Sequence, residues 1–402
     1  MTTTTTVMTV KKDSFDRFGD DLCQLLLQYL LIEDKVRLES VSKQWSTLIF
    51  NTQNYLIFDV KLLETFNPID WQSYRKSFDC FCNRFGQQLL TFKFDEIYTP
   101  TNRQLFENLS NLKTLDVNHI ESTEQLFNKC LNCLPNLTTI DIRTNGRISL
   151  GFDVILAVNK LLPKTIQSLT VRLDNRSLNL LAEDLEDYRN LTILSAGLSQ
   201  MQQLKQLVIS LPVGFGTVHT IRLLTTIGRR CRQLKKFGIS INKLIDNSVD
   251  IFAAINEHMS PQLRRLTVNC YPVDEQSVLT SSSLKRLHRL THLTLRVYSR
   301  QIIGDCFFNN IHRNLPRLQY IRCDCVSITE VSITALGQLA HLRDVYLLFD
   351  ANKRMTTSDV FISNQLLIGS HIKHLYIEYC SSNESKRFIY GKYFNYDNLN
   401  VN

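Results

Sequence analysis

No stretch of about 18 apolar residues occurs anywhere in the 402-residue chain, so no membrane-spanning helix is expected. The opening MTTTTTVMTVKKD lacks the apolar centre that a secretory leader requires. Its eleven cysteines are therefore read as free thiols in a reducing compartment, and the protein is expected in the cytosol, the nucleus or both. Catalytic and metal signatures are equally scarce. Cys130-x-x-Cys133 has no second pair nearby, and its neighbours Leu131 and Leu134 mark it as packed thiols on a helix. Cys80/Cys82 and Cys323/Cys325 have the two-residue spacing of one strand face, with Cys323 and Cys325 expected in the core. His288, His292, His341, His371 and His374 are scattered and form no HExxH motif. Gly214-Phe215-Gly216 lacks the rest of a phosphate loop and reads as a turn. No catalytic residue, metal site or cofactor is expected.

The chain does contain a repeat. L-x-x-L-x-L, with any apolar residue in the key places, starts at Leu89, Leu112, Leu137, Ile166, Leu204, Leu234, Leu263, Leu290, Leu318, Leu342 and Ile372. Successive starts are 23, 25, 29, 38, 30, 29, 27, 28, 24 and 30 residues apart. Positions 4 and 6 of each match point one way along a strand and positions 3, 5 and 7 the other. Between strands, ENLSNL and NKCLNCLPNL carry apolar residues at helical spacing, returning the chain for another parallel strand. One such unit cannot bury its apolar face alone, so stability must come from stacking. LTILSA from Leu191 would leave too short a return path to Leu204, so it is read as part of a long convex segment.

Residues 14–55 follow a different rule. Asp20 and Asp21 supply acidic groups at a helix start. Leu22, Leu25, Leu26, Tyr29 and Leu30 then recur at helical spacing, and a second helix from Asp34 presents Leu38, Val41, Trp45, Leu48 and Ile49. Two short helices cannot cover all ten of these side chains between themselves. Burial of each large one contributes about 1.5–3 kcal/mol, so some require another surface.

Two resemblances rest on these residues. The ladder over about residues 85–380 resembles the longer-period intracellular leucine-rich repeats. Leu22, Tyr29-Leu30, Asp34 and the ending Val41-Ser42-Lys43-Gln44-Trp45 resemble an F-box, with Phe18-Gly19 where that motif has Leu-Pro and Ser42 where it commonly has Cys. The implied fold is α/β, an N-terminal helical F-box followed by a leucine-rich-repeat solenoid with parallel strands on the concave face and helices on the convex face. The implied division is a disordered terminus over 1–13, the F-box over 14–55, the solenoid over 56–380 and a C-terminal cap or tail over 381–402.

The resemblance also implies a non-catalytic substrate-recognition subunit of an SCF-type cullin–RING ubiquitin ligase. The F-box would bind a Skp-family adaptor, and through it a cullin and a RING protein indirectly. Adaptor contacts are expected from Leu22, Leu26, Tyr29, Leu30, Val41, Lys43 and Trp45. Strand period places Arg143, Arg172, Lys236, Arg265, His292, Arg296, Tyr320, Arg322, Tyr346 and Tyr376 on the concave face, a basic trough with aromatics, suited to an acidic or phosphorylated target protein. The alternative is a repeat scaffold or inhibitor without a ligase link, its first helices only capping the solenoid. The net charge of +8 is mild for this length, and nucleic acid is not an expected partner.

Overall fold

The computed structural model describes residues 19–30, 34–35, 38, 43–52, 55–58, 86–94, 106–120, 131–145, 158, 160–161, 164–174, 196–198, 200–211, 217–245, 248–259, 261–272, 279–297, 303–327, 329–350, 371–380 and 385–391. The chain divides into two compact units, residues 1–118 with 129–137, and residues 119–128 with 138–402.

The first unit opens with helices α1 (Asp20–Gln28) and α2 (Lys43–Thr52). Gly19 stands at the N-cap of α1, and its carbonyl accepts from the amides of Leu22 and Cys23. Asp20 and Asp21 fill the first turn, where negative charge meets the positive helix end. Strands β1 (Tyr55–Phe58), β2 (Thr91–Phe94) and β3 (Thr114–Ile120) follow, with β1 parallel to β2 and β2 parallel to β3. The ladder therefore begins one strand before the first sequence match, at YLIF. Asn111 and Asn136 each donate a side-chain amide to a backbone carbonyl of the preceding turn, of Gln87 and Ser110 respectively. This gives the recurring Asn-Leu phrase a structural role.

The second unit is a sheet of β4 (Thr139–Asn145), β5 (Ser168–Asp174), β6 (Gln206–Leu211), β7 (Lys236–Ile245), β8 (Arg265–Pro272), β9 (His292–Val297), β11 (Tyr320–Ser327), β12 (Asp344–Asp350) and β13 (His374–Cys380), all parallel in that order. The two-residue β10 (Ile303–Gly304) pairs beside β11. The last strand, β14 (Ser385–Gly391), runs antiparallel to β13 and covers its free edge, so part of the expected cap or tail is a strand. On the return path lie α3 (Thr217–Arg230), α4 (Ser248–His258), α5 (Asp305–Phe308), α6 (Ile311–Asn314) and α7 (Glu330–Gly337).

Each of the eleven L-x-x-L-x-L matches starts two residues before a strand, from Leu89 before β2 to Ile372 before β13. The register stacks their apolar positions rung on rung: Ile140, Leu169, Leu207, Phe237, Leu266, Leu293, Ile321, Val345 and Leu375 form one buried row. The chain has a leucine-rich-repeat arrangement, a parallel ladder with helices on the return path. β5 pairs directly with β6, so no strand lies between them in the sheet; residues 191–195 lie outside the described residues.

A small polar clasp joins two return segments. The Asp305 carboxylate accepts from the Thr329 amide at 2.8 Å, the Thr329 hydroxyl at 2.7 Å and the Ser332 hydroxyl. Burial alone would raise its pKa, but these bonds outweigh it and hold the carboxyl below its ordinary range.

Candidate protein-binding surfaces

Helices α1 and α2 make their own core. Cys23, Leu27, Trp45, Leu48 and Ile49 are buried together, with Leu30 and Leu38 packed against them. Gln44 on α2 donates to Asp20 at the start of α1 at 2.7 Å, fixing how the helices meet. Because Cys23 and Leu27 point inward, the neighbouring stripe on α1 turns outward. Leu22 is 43% exposed, Leu25 48%, Leu26 39% and Tyr29 81%. Four of the six exposed large hydrophobic residues among the described residues thus lie along about two turns of chain. Such an apolar concentration on a soluble surface is unfavourable unless covered.

The sequence-predicted adaptor residues separate accordingly. Leu22, Leu26 and Tyr29 form the outward stripe, Lys43 is exposed at the start of α2, and Leu30 is half-buried. Trp45 is a correction: at 2% exposure it belongs to the helix pair's core rather than to an outer contact. Val41 lies outside the described residues.

On the second unit, the outward strand positions form rows. One row runs Lys236, Arg265, His292, Tyr320, Asp344 and His374. A second runs Arg322, Tyr346 and Tyr376, and a third contains Arg296 and Asp324. His292 stacks on Tyr320 with ring centres 5.7 Å apart, and Tyr346 stacks on Tyr376 at 5.8 Å. The Arg322 guanidinium lies 4.1 Å from the centre of the Tyr346 ring, within cation–π range. The Tyr346 hydroxyl donates to Glu378, and His374 Nδ1 is 2.6 Å from Asp344.

The sequence reading missed Asp324 and His374, although both have the outward parity of their strands. Asp324 changes the electrostatics most. Its side chain is 3% exposed, accepts from Arg322 Nε at 3.0 Å, and lies 3.6 Å from Arg296 Nε. The continuous basic trough is therefore corrected to separate patches. Arg322 and Arg296 share a carboxylate, while Arg172 pairs with Asp141 at 3.6 Å beside Arg143 on β4. Lys236 and Arg265 adjoin one another, and among the described residues neither has a carboxylate partner. Burial, with Arg265 and Lys236 adding to it against Asp344, holds the His292 pKa below its ordinary 6.5.

Among the described residues no group of three or more His, Cys, Asp or Glu is arranged to hold a metal, and no helix is long and apolar enough to cross a membrane. Cys23, Cys231, Cys270 and Cys323 are buried thiols; Cys80, Cys82 and Cys130 and the glycine turn at 214–216 lie outside the described residues.

No family model matches the chain, and no curated protein matches it. Among solved structures it is similar to a chain of the Rad7–Elc1 complex of yeast, 17% identical over 79% of this chain and 77% of that one, with a TM-score of 0.46. It is also similar to the internalin InlF of Listeria monocytogenes, 16% identical over 68% and 70%, with a TM-score of 0.38. A third similarity is to the TLR13–ssRNA13 complex, 14% identical over 72% of this chain and 47% of that one, with a TM-score of 0.37.

Proposed function

We propose that the chain is the substrate-recognition subunit of an SCF-type ubiquitin ligase, its first two helices binding a Skp-family adaptor and its repeats binding the target protein. It performs no chemistry itself and works in the cytoplasm or nucleus. Its contribution is to raise the local concentration of target lysines beside a charged conjugating enzyme.

One observation carries the reading. Leu22, Leu25, Leu26 and Tyr29 form an outward apolar stripe on a helix pair whose interior is already filled by Cys23, Leu27, Trp45, Leu48 and Ile49. A pair that only capped a solenoid would turn such a stripe inward. The F-box-like order of the same segment supports a helical adaptor as what covers it. Helix-in-groove recognition uses anchors at this i, i+3, i+4, i+7 spacing. For the target, the aromatic and cationic rows around His292, Tyr320, Arg322, Tyr346 and Tyr376 support an acidic or phosphorylated segment, with Lys236 and Arg265 supplying the available charge.

The test is co-purification of the full chain with Skp-family adaptors. Leu26→Asp with Tyr29→Asp is expected to abolish adaptor capture and leave the circular dichroism spectrum and melting temperature unchanged. Adaptor retained by this folded variant, or no capture by the wild type, would reject the reading.

A further inference from the structure

The segments that lead into the later strands of the second unit are rich in cations and almost free of acids. In a parallel sheet these turns lie along one edge, at the strands' N-terminal ends. In the second unit they are joined rung to rung: the Lys205 carbonyl accepts from Lys235 and Lys236, that of Lys235 from Arg264 and Arg265, and that of Arg343 from Lys373 and His374. Over residues 227–235, 256–264, 283–291, 309–319, 336–343 and 371–373, which take in the turns into the strands and the helix ends just before them, there are twelve Lys and Arg and one acid, Glu257. These turns carry eleven net positive charges against +8 for the whole chain, so the remaining residues are net acidic by three.

All twelve cations are exposed. Lys235, Arg264, Arg343 and Lys373 stand immediately before their strands. Where that place holds Thr291 or Gln319, a cation stands two residues earlier, at Arg289 and Arg317. Rungs are about 4.8 Å apart, so Lys235 to Lys373 spans about 24 Å.

We propose that this edge is a docking surface for the phosphate backbone of double-stranded nucleic acid. Three observations select that occupant. A duplex presents one charge per about 1.7 Å of its axis, so about 24 Å presents about fourteen, close to the charge offered. No Phe, Tyr or Trp occurs in these segments, which removes the large stacking platforms a single strand uses. No exposed large hydrophobic residue lies there either, so the edge lacks both the apolar centre of a protein interface and the anchors of a membrane-inserting surface. Arg supplies nine of the twelve cations, and its planar fork suits phosphate oxygens. Binding is expected to be independent of base sequence, since phosphate contacts carry no sequence information. This surface is distinct from the outward strand rows and does not depend on the ligase reading.

The experiment is fluorescence anisotropy of a labelled 20-base-pair DNA of arbitrary sequence with the full chain, repeated between 50 and 200 mM salt. Five or six phosphate contacts give a log–log slope of about −5, an affinity loss of about a thousandfold over that range. The variant R264E/R289E/R317E/R343E is expected to bind at least about tenfold more weakly at 100 mM salt, with unchanged melting temperature, and K236E/R265E to bind as the wild type does. Absence of duplex binding overturns the proposal. So does equal or tighter binding to poly-glutamate or to phosphatidylserine vesicles at the same salt, and so does a loss in K236E/R265E matching that of the edge variant.

Discussion

At the scale of single residues, polarity and burial divide labour sharply. Asp324 is almost wholly enclosed yet holds the two guanidinium groups of Arg322 and Arg296 in place, which keeps Arg322 over the Tyr346 ring. The thiols show the opposite effect of enclosure. Burial pushes Cys231 and Cys270 up to about 12 from an ordinary 9.0, because a thiolate in apolar surroundings is unfavourable. Folded protein at pH 8 is therefore expected to leave both unlabelled by iodoacetamide while the exposed Cys306 reacts, as read by peptide mass spectrometry. A raised thiol pKa also stabilises the fold fully below the unfolded value and loses that contribution as pH climbs towards the folded one. Labelling of Cys231 and Cys270 should accordingly accelerate above about pH 9 as the structure loosens. Which α1 residues face inward was not legible from sequence. Leu22, Leu25, Leu26, Tyr29 and Leu30 make the fuller apolar stripe, but Cys23 and Leu27 fill the core with Trp45, and of the stripe only Leu30 packs against it. That choice is set by α2, through a contact remote in sequence.

Among elements, the strands were the legible part. Their two-residue period and the fixed step from each L-x-x-L-x-L match to its strand leave little freedom, because a one-residue slip would turn the leucines outward. The early strand at Tyr55–Phe58 was not found, since YLIF lacks the leading leucine and alternation of the other matches. The outward residues of the strands were mostly placed correctly in parity, yet their charge balance was not. Ion pairing within a row, as at Asp324, needs the register between strands rather than the period within one. Helix packing adds a constraint that sequence does not announce. A Cβ at Gly228 on α3 would lie 2.0 Å from the His258 carbonyl oxygen at the end of α4, so the two helices approach there through bare backbone. Gly228→Ala is expected to destabilise the second unit by about 1–3 kcal/mol, measurable by urea denaturation, despite the better helix propensity of alanine. An unchanged midpoint would contradict this packing.

At the scale of the whole molecule, an open sheet must deal with its exposed edge. β14 does this at the C-terminal side of the second unit by pairing antiparallel with β13 from His374 to Cys380. Removing residues 381–402 would leave the outer hydrogen-bonding groups of β13 open to another chain. The truncated protein is expected to associate with itself at tens of micromolar, seen by sedimentation velocity, while the full chain under the same conditions sediments without that added association. A truncated chain indistinguishable from the full one would show that β14 does not guard this edge.

The pairing of Lys205 and Gln206 amides with the Gln167 carbonyl is the same as at the other parallel rungs from β4 to β13, although 38 residues rather than the usual number separate these two repeats. The surplus length between these two strands thus leaves the pairing of their rung unchanged. Such a scaffold can acquire an insertion between two strands, and with it a new contact for some partner, while every existing outward row keeps its spacing.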